Sequence, residues 1–479
     1  MFNINNNNKQ NTIPLQKQSF LGDSFIYIIG VVLNQGVNFL TLMILARLLS
    51  PGDYGIIAIY GLWVNICLAF ISLQGAVSVN NALIEYGEDK LSSYVFSISL
   101  LSIVVSVITI VGVLVLRSTI EDVIGLSTYI VILLVIQTAI SSFSLLQLEK
   151  NRVLKKARSA VFWTSSIPVL RFVLSIVLIL SVFRFSYLGD IYGFFIASVI
   201  IGLIALIKTA IDAGFKFNIQ HIKYCLPITV PIIFHAVPYI ILTMFDRHMI
   251  SIIIDEKETG IYSFIYNISI IPTGIWFAVN NPWGVEYFEK MKKNEHKAIE
   301  SLTNIYIKYM FFIYVLILLL LPEVILIIAT PEYFSGITYA SFIMAGGFIL
   351  FLHTICARHE LYAKKTMYIP IATIISAIIN IVLNLILIPR YGAFGAAITA
   401  FISYSILFIM HYIFAGLVIK GFPIKFWKMA LPAALLIGLA VFVYVFIDYM
   451  LIRLSLALVF GIFVAFNVFR SIRRGDLVV

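Results

Sequence analysis

Arg171 stands alone as a charge in the apolar stretch SIPVLRFVLSIV. A guanidinium at the centre of a helix in lipid costs about 2.5–3.5 kcal/mol on insertion scales, so it must face water or a partner. Its planar fork matches phosphate oxygens. Arg171 is therefore a candidate for binding an anionic substrate, with a structural ion pair as the alternative. His235 lies in YCLPITVPIIFHAVPYIILTMFDRHMI. Imidazole titrates near neutral pH, which suits substrate binding or proton coupling; a hydrogen bond to a nearby carbonyl is the plainer role. Asp246 and Arg247 close the same stretch. Asp246 is a candidate coupling carboxylate for H+ or Na+ and Arg247 a candidate substrate ligand, unless the two simply pair at the membrane interface.

Amides form a second set. Asn34 and Asn38 share one helix face by their i,i+4 spacing, as do Asn380 and Asn384. Asn65, Gln74, Asn267, Asn280 and Asn281 add to them. Such groups suit sugar hydroxyls, and they also bond helices to one another. Trp163, Trp276 and Trp283 could stack on sugar rings; packing or a place in an interfacial belt is the default. Cys67, Cys225 and Cys356 show no metal spacing and read as small apolar packing residues. The corner ARLLSPGDYG, from Ala46 to Gly55, puts Arg47 and Asp53 on either side of a Pro51-Gly52 turn. Arg47 can snorkel to the interface, pair with Asp53, or contact substrate.

The elements that must carry these residues follow from composition. The 479-residue chain is 61% hydrophobic and 12% charged, where soluble domains are about one quarter charged. This predicts an all-α integral membrane protein, since helices of about 20 apolar residues satisfy their own backbone in lipid. Fourteen runs of spanning length can be marked. With the N-terminus inside, most of the 33 lysines and arginines fall in cytoplasmic loops. Only Arg47, Arg117, Arg184, Arg247, Lys257, Arg390 and Arg453 fall outside, and Arg171 is left within a span. The net charge of +10 thus reflects topology and no nucleic-acid partner. The three prolines Pro227, Pro231 and Pro238 predict a bent or unwound seventh span.

Two stretches repeat. ILARLLSPGDYGIIAIYGL and MFDRHMISIIIDEKETGIYSFIYNI each end a span with an arginine and re-enter after an acidic, glycine-containing turn. Gly55 and Gly260 are 205 residues apart, and SIVLIL from Ser175 matches NIVLNL from Asn380 at the same offset. Related parallel halves are a transporter signature. The organisation expected is a disordered cytoplasmic tail over 1–20, an N-terminal six-helix bundle over 21–211, a linker over 212–223, a C-terminal six-helix bundle over 224–418 and two extra helices over 429–470. No nucleotide loop, hydrolase elbow or zinc motif is present. The reading is a transporter and not an enzyme, without a cofactor beyond H+ or Na+ as a coupling ion.

RLLSPGDYG after the first span, PRYGAFGAAITAFISY (Pro389 to Tyr404) and the fourteen spans resemble the polysaccharide flippases. These are the O-antigen, Wzx-like branch of the multidrug/oligosaccharidyl-lipid/polysaccharide exporter superfamily. The resemblance implies two pseudo-symmetric six-helix bundles around a central cavity. It implies that an undecaprenyl-pyrophosphate-linked oligosaccharide, such as an O-antigen repeat unit, moves from the inner to the outer leaflet of a bacterial cytoplasmic membrane. Polymerase and chain-length proteins of the pathway would be partners. A cation-coupled drug exporter, a lipid II flippase and a polysaccharide polymerase are the competing readings; short outer loops argue against the polymerase. The orientation gives a direct prediction: reporter tags fused at either terminus give a cytoplasmic signal, and an external signal at either end refutes it.

Overall fold

The computed structural model describes residues 20–474; the tail expected over 1–20 lies outside the described residues but for Phe20. Fifteen α-helices follow one another: α1 (Phe20–Leu48), α2 (Pro51–Ile71), α3 (Val79–Val115), α4 (Arg117–Ile124), α5 (Thr128–Val153), α6 (Ala157–Ser181), α7 (Leu188–Ala213), α8 (Ile219–Ile253), α9 (Glu256–Ser269), α10 (Ile271–Lys292), α11 (His296–Ile328), α12 (Ile337–Tyr362), α13 (Tyr368–Ile413), α14 (Phe426–Val445) and α15 (Met450–Arg474). No strand occurs among the described residues. Among the described residues eleven helical segments are long and apolar enough to cross a membrane. Three places separate that number from the fourteen expected. In α1 the side chains are described without a break only over Val32–Leu48, a stretch too short to be counted. The eighth run is broken at Ile270 into α9 and α10. The eleventh and twelfth runs join in the 46-residue α13, where Gly392 alone leaves helical geometry, at φ 59°.

The prolines of α8 do not break it. Pro227, Pro231 and Pro238 all lie inside a continuous helix of 35 residues, so the span is not unwound at them. The missing donors fall at four- and seven-residue intervals, so the lost bonds are spread along the helix and its neighbours hold the rest.

Two groups of helices pack against each other. α6 lies on α7 and α1, and α5 on α3 and α7; in the second group α13 lies on α12 and α8, and α12 also contacts α9 and α11. α14 and α15 pack on α11. α15 is pinned there by Arg453, which is buried, bonds the Phe446 and Ile447 carbonyls and pairs with Glu323 of α11. The groups meet above all where α2 crosses α9.

That crossing is built by the two repeated glycines. A Cβ on Gly55 would sit 2.0 Å from the Glu256 carbonyl oxygen, and one on Gly260 would sit 1.7 Å from that of Pro51. Backbone therefore touches backbone, as small residues allow between helices. Each helix is capped just before its glycine. Ser50 Oγ accepts the Asp53 N–H at 3.1 Å, and Asp255 Oδ1 accepts the Glu258 N–H at 2.7 Å. Ser50 and Asp255 keep the same 205-residue offset as the glycines.

The corner beside this crossing holds both groups. Arg47 does not pair with Asp53. Its guanidinium donates to the Ile327 and Ile328 carbonyls at 2.6 and 3.0 Å, at the C-terminus of α11, where a cation is favoured. Asp53 instead bonds the Ser50 hydroxyl and accepts the Tyr187 N–H at 3.1 Å, from the turn before α7. Gly260→Val is expected to lower thermal stability by about 1–3 kcal/mol or more, as overpacking does, in a detergent melting measurement. Gly61→Ala, whose Cβ would meet nothing within 4 Å, is expected to leave it unchanged.

Candidate functional site

Below the glycine crossing lies a cavity of about 960 Å³ between the two groups of helices. α1 lines it with Gln35, Asn38, Phe39 and Thr41, α2 with Tyr54 and Ile57, and α6 with Arg171. From the other side come Tyr239, Thr243 and Arg247 of α8, Tyr266 and Asn267 of α9, and Thr273 of α10. A smaller chamber of about 350 Å³ shares Asn38, Thr41 and Arg171 with it and adds Asn65, Thr138, Ser141 and Ser144. The walls thus offer hydroxyls and amides, with two guanidinium groups from opposite halves.

The two arginines are in different electrostatic states. Arg171 is 27% exposed by its side chain, and Asp190, its partner, is 1% exposed. Nη2 lies 2.6 Å from Oδ2 and Nε 3.2 Å from Oδ1, a bidentate pair, with Ser175 Oγ donating to Oδ1 at 2.7 Å. Arg171 also stacks over Phe194 at 4.3 Å. The local sequence explains how Asp190 arrives there. In GDIYG, Gly189 and Gly193 flank it with small-xxx-small spacing, and their missing Cβ atoms let α7 lie directly on Ile179 and Ser175 of α6. Arg171 therefore lines the cavity and is paired with Asp190 at once.

Arg247 is 5% exposed. Nη2 donates to Asn267 Oδ1 at 3.2 Å, the guanidinium sits 4.8 Å over the Tyr266 ring, and Nε has no partner. Among the described residues no carboxylate lies within 4.0 Å of it. The expected pair with Asp246 is not formed: the Asp246 carboxylate accepts from the Tyr262 hydroxyl and from the Arg247 backbone N–H. Adjacent residues on a helix point about 100° apart, so the two side chains enter different surroundings. Asn267 continues the connection, donating through Nδ2 to the Tyr54 hydroxyl at 3.3 Å. Arg247, Asn267 and Tyr54 thus link the halves across the cavity roof, one residue from the Gly55 crossing.

The other sequence candidates sit elsewhere. Asn38 lines both spaces, while Asn34 does not line either and its Oδ1 is buried without a partner. Asn384 donates to Asn380 at 3.1 Å and both are fully buried away from the cavity. His235 bonds Thr373 at 3.3 Å. Arg47 and Asp246 lie off the cavity wall. Trp163, Trp276 and Trp283 are packed in the interior, and Asn280 holds Arg358 at 2.9 Å. Gln74 caps a 3-10 turn with a left-handed backbone. The three cysteines are free, Cys225 and Cys356 being buried. Among the described residues no group of three or more His, Cys, Asp or Glu side chains is arranged for a metal ion.

Comparison with known proteins places this geometry. Residues 20–283 match the polysaccharide biosynthesis protein family. A protein of the Lsg locus of Haemophilus influenzae is 22% identical over 75% of this chain and 89% of its own. A "probable low-salt glycan biosynthesis flippase" of Haloferax volcanii is 28% identical over 35% of this chain and 36% of its own. Among solved structures, the lipid II flippase MurJ in an inward closed conformation superposes with a TM-score of 0.69 at 15% identity, covering 96% of this chain and all of that one. An inward-facing multidrug MATE transporter superposes with a TM-score of 0.66 at 14% identity, covering 80% of this chain and 94% of that one. The fold is that of this transporter superfamily.

The Arg171–Asp190 pair gives a stability prediction. Asp190→Ala leaves a guanidinium unpaired and is expected to cost about 3–5 kcal/mol. The double variant Arg171→Met, Asp190→Leu is expected to cost less than that single change in the same melting measurement.

Proposed function

Because the chain belongs to the polysaccharide biosynthesis protein family, we propose that it is a flippase for a lipid-linked oligosaccharide. It carries an undecaprenyl-pyrophosphate-linked repeat unit, such as an O-antigen unit, from the inner to the outer leaflet of a bacterial cytoplasmic membrane. The single observation that carries this reading is Arg247, a buried guanidinium on the cavity wall with no carboxylate in ion-pair contact among the described residues. A pyrophosphate supplies the charge and the acceptor oxygens that this group lacks, and charge-assisted bonds of this kind are about twice as strong as neutral ones. Arg171, already neutralised by Asp190, adds hydrogen bonds without adding net charge. Gln35, Asn38, Asn65 and Asn267 offer amides to the sugar hydroxyls.

In this reading both termini are cytoplasmic, and the Gly55–Gly260 crossing and the Arg47 bonds close the outer end. The phosphate oxygens compete with Asn267 for Arg247. Releasing Asn267 also releases Tyr54, and with it one of the ties that hold α2 to α9. Alternating access then exchanges this outer contact for one at the cytoplasmic end. The glycan, once outside, passes to the polymerase and chain-length proteins of the pathway.

The test is deletion and rescue in the native host. Deletion is expected to remove surface polysaccharide and accumulate the lipid-linked oligosaccharide. Wild type is expected to restore both, while Arg247→Gln at equal membrane level restores less than a tenth of wild-type surface polymer, the order expected for one lost charge-assisted contact of about 1.5–3 kcal/mol. Unchanged polymer and lipid intermediates in the deletion strain would refute the flippase reading.

A further inference from the structure

The second half holds titratable side chains that neither the cavity nor the glycine crossing uses. Glu360, near the end of α12, is 0% exposed. Its Oε1 lies 2.8 Å from Nδ1 of His411 on α13, and its Oε2 is buried without a partner. His353, two turns earlier on α12, sets its ring 5.5 Å from that of His411. Its Nδ1–H is taken by the Leu350 carbonyl, leaving Nε2 free. On α8, His235 donates through Nδ1 to Thr373, whose own proton goes to the Ile369 carbonyl. His235 lies within electrostatic reach of His411 and His353, and its ring is 6.2 Å from Tyr239, which lines the cavity. On the other flank His359 sits between the Tyr287 hydroxyl and the Lys420 carbonyl, at 2.8 Å from each. Three imidazoles, those of His411, His353 and His235, therefore lead from one buried carboxyl group toward the cavity wall.

The surroundings leave this carboxyl group without a cation. Cys356, one turn earlier on α12, lies within electrostatic reach of it, and His411 of α13 bonds it; His411 is in turn within reach of His353 on α12 and His235 on α8. Lys428 of α14 is taken by Glu300 of α11, and α9 meets the far end of α12 through Tyr262 and Tyr339. Among the described residues no lysine or arginine lies within 4.0 Å of Glu360. Ionisable groups inside a membrane are expensive to keep and mark ion and proton paths. The backbone is irregular at the same place: α13 passes into a π-helical turn, Phe414–Val418, directly after the helix that carries His411, and such turns cluster at functional positions.

We propose that Glu360 and His411 form a proton-binding site inside the C-terminal half, separate from the substrate cavity. With the proton bound, Glu360 is a carboxylic acid whose Oε1–H donates to Nδ1 of a neutral His411 that carries its hydrogen on Nε2. On release the Nε2 proton leaves, with His353 Nε2 as the neighbouring base. The Oε1 proton passes to Nδ1, and Nδ1–H now donates to the carboxylate. The same 2.8 Å contact serves both states, and the net charge of the pair changes from zero to minus one. A sodium ion fits less well, because hard cations require several oxygen ligands and this site offers one carboxylate among imidazoles. Asp246, the carboxylate candidate for coupling, accepts from Tyr262 and the Arg247 N–H. His235, the other candidate, lies on the route. This inference does not depend on what the cavity carries.

Infrared difference spectroscopy on the full chain in liposomes tests it, between mildly acidic and mildly alkaline pH. Wild type is expected to lose one protonated-carboxyl band on alkalinisation, at a midpoint independent of sodium. The band is expected to be absent from Glu360→Gln, and its midpoint to move by about one pH unit or more in His411→Asn. A wild-type spectrum without such a band, a band that persists in Glu360→Gln, or a midpoint displaced by sodium each overturns the proposal. The first and third need no variant, so a misfolded variant does not protect it.

Discussion

Two helix backbones can touch only where neither carries a side chain, and the meeting of the two halves depends on that condition at Gly55 and Gly260. The crossing aligns the starts of α2 and α9, and the caps at Ser50 and Asp255 hold both starts in helical geometry. Everything near it is arranged by that contact. Arg47 reaches the end of α11, Asp53 reaches the turn before α7, and Tyr54 is brought within hydrogen-bond distance of Asn267. Because the contact is steric and short-ranged, it holds or separates as a unit. That is the behaviour required of one end of an alternating-access path.

Charge inside the protein follows a second rule, that a buried ion is matched or awaits a match. Arg171 is matched by Asp190 and Arg453 by Glu323. Glu360 is matched by an imidazole that can be neutral. Arg247 has an amide and an aromatic face. The desolvation of a guanidinium costs several kcal/mol, and Arg247 meets that cost only in part. In the proposed cycle the pyrophosphate completes it, which makes substrate binding and the loosening of the Tyr54–Asn267 contact parts of one event.

Much of this was legible in the sequence because lipid imposes strict patterns. Apolar runs of spanning length predict the all-helical fold, and the repeat at Gly55 and Gly260 marks the halves as related, but that the two glycines are where the halves touch is seen only in the structure. Arg171 and Arg247 were conspicuous as charges in apolar stretches. Their partners were not. Asp190 opens α7 and looks like a loop acid; only the flanking Gly189 and Gly193 hinted that its helix would lie directly against α6. Asp246 and Arg247 are neighbours in sequence, which suggested a pair, while helical geometry sends them apart. Glu360 falls in ARHELYAKK, which reads as a cytoplasmic loop, yet α12 continues to Tyr362 and buries it. His411, its partner, is 51 residues away, a separation that no local pattern reports. The prolines of α8 pointed to a bend or an unwound turn, and no unwound turn is present, the helix being continuous through all three.

Transbilayer movement itself is the most direct measurement. Purified full-length protein is reconstituted in liposomes with an undecaprenyl-pyrophosphate-linked oligosaccharide in both leaflets. Outward-facing glycan is masked with an impermeant lectin that stays bound, unbound lectin is washed away, and the appearance of unmasked glycan at the outer surface is followed. The account predicts protein-dependent reappearance, faster than in protein-free vesicles and absent with a lipid that carries the same glycan but no phosphate. Reappearance no faster than in protein-free vesicles, or equal movement of the phosphate-free lipid, would contradict it.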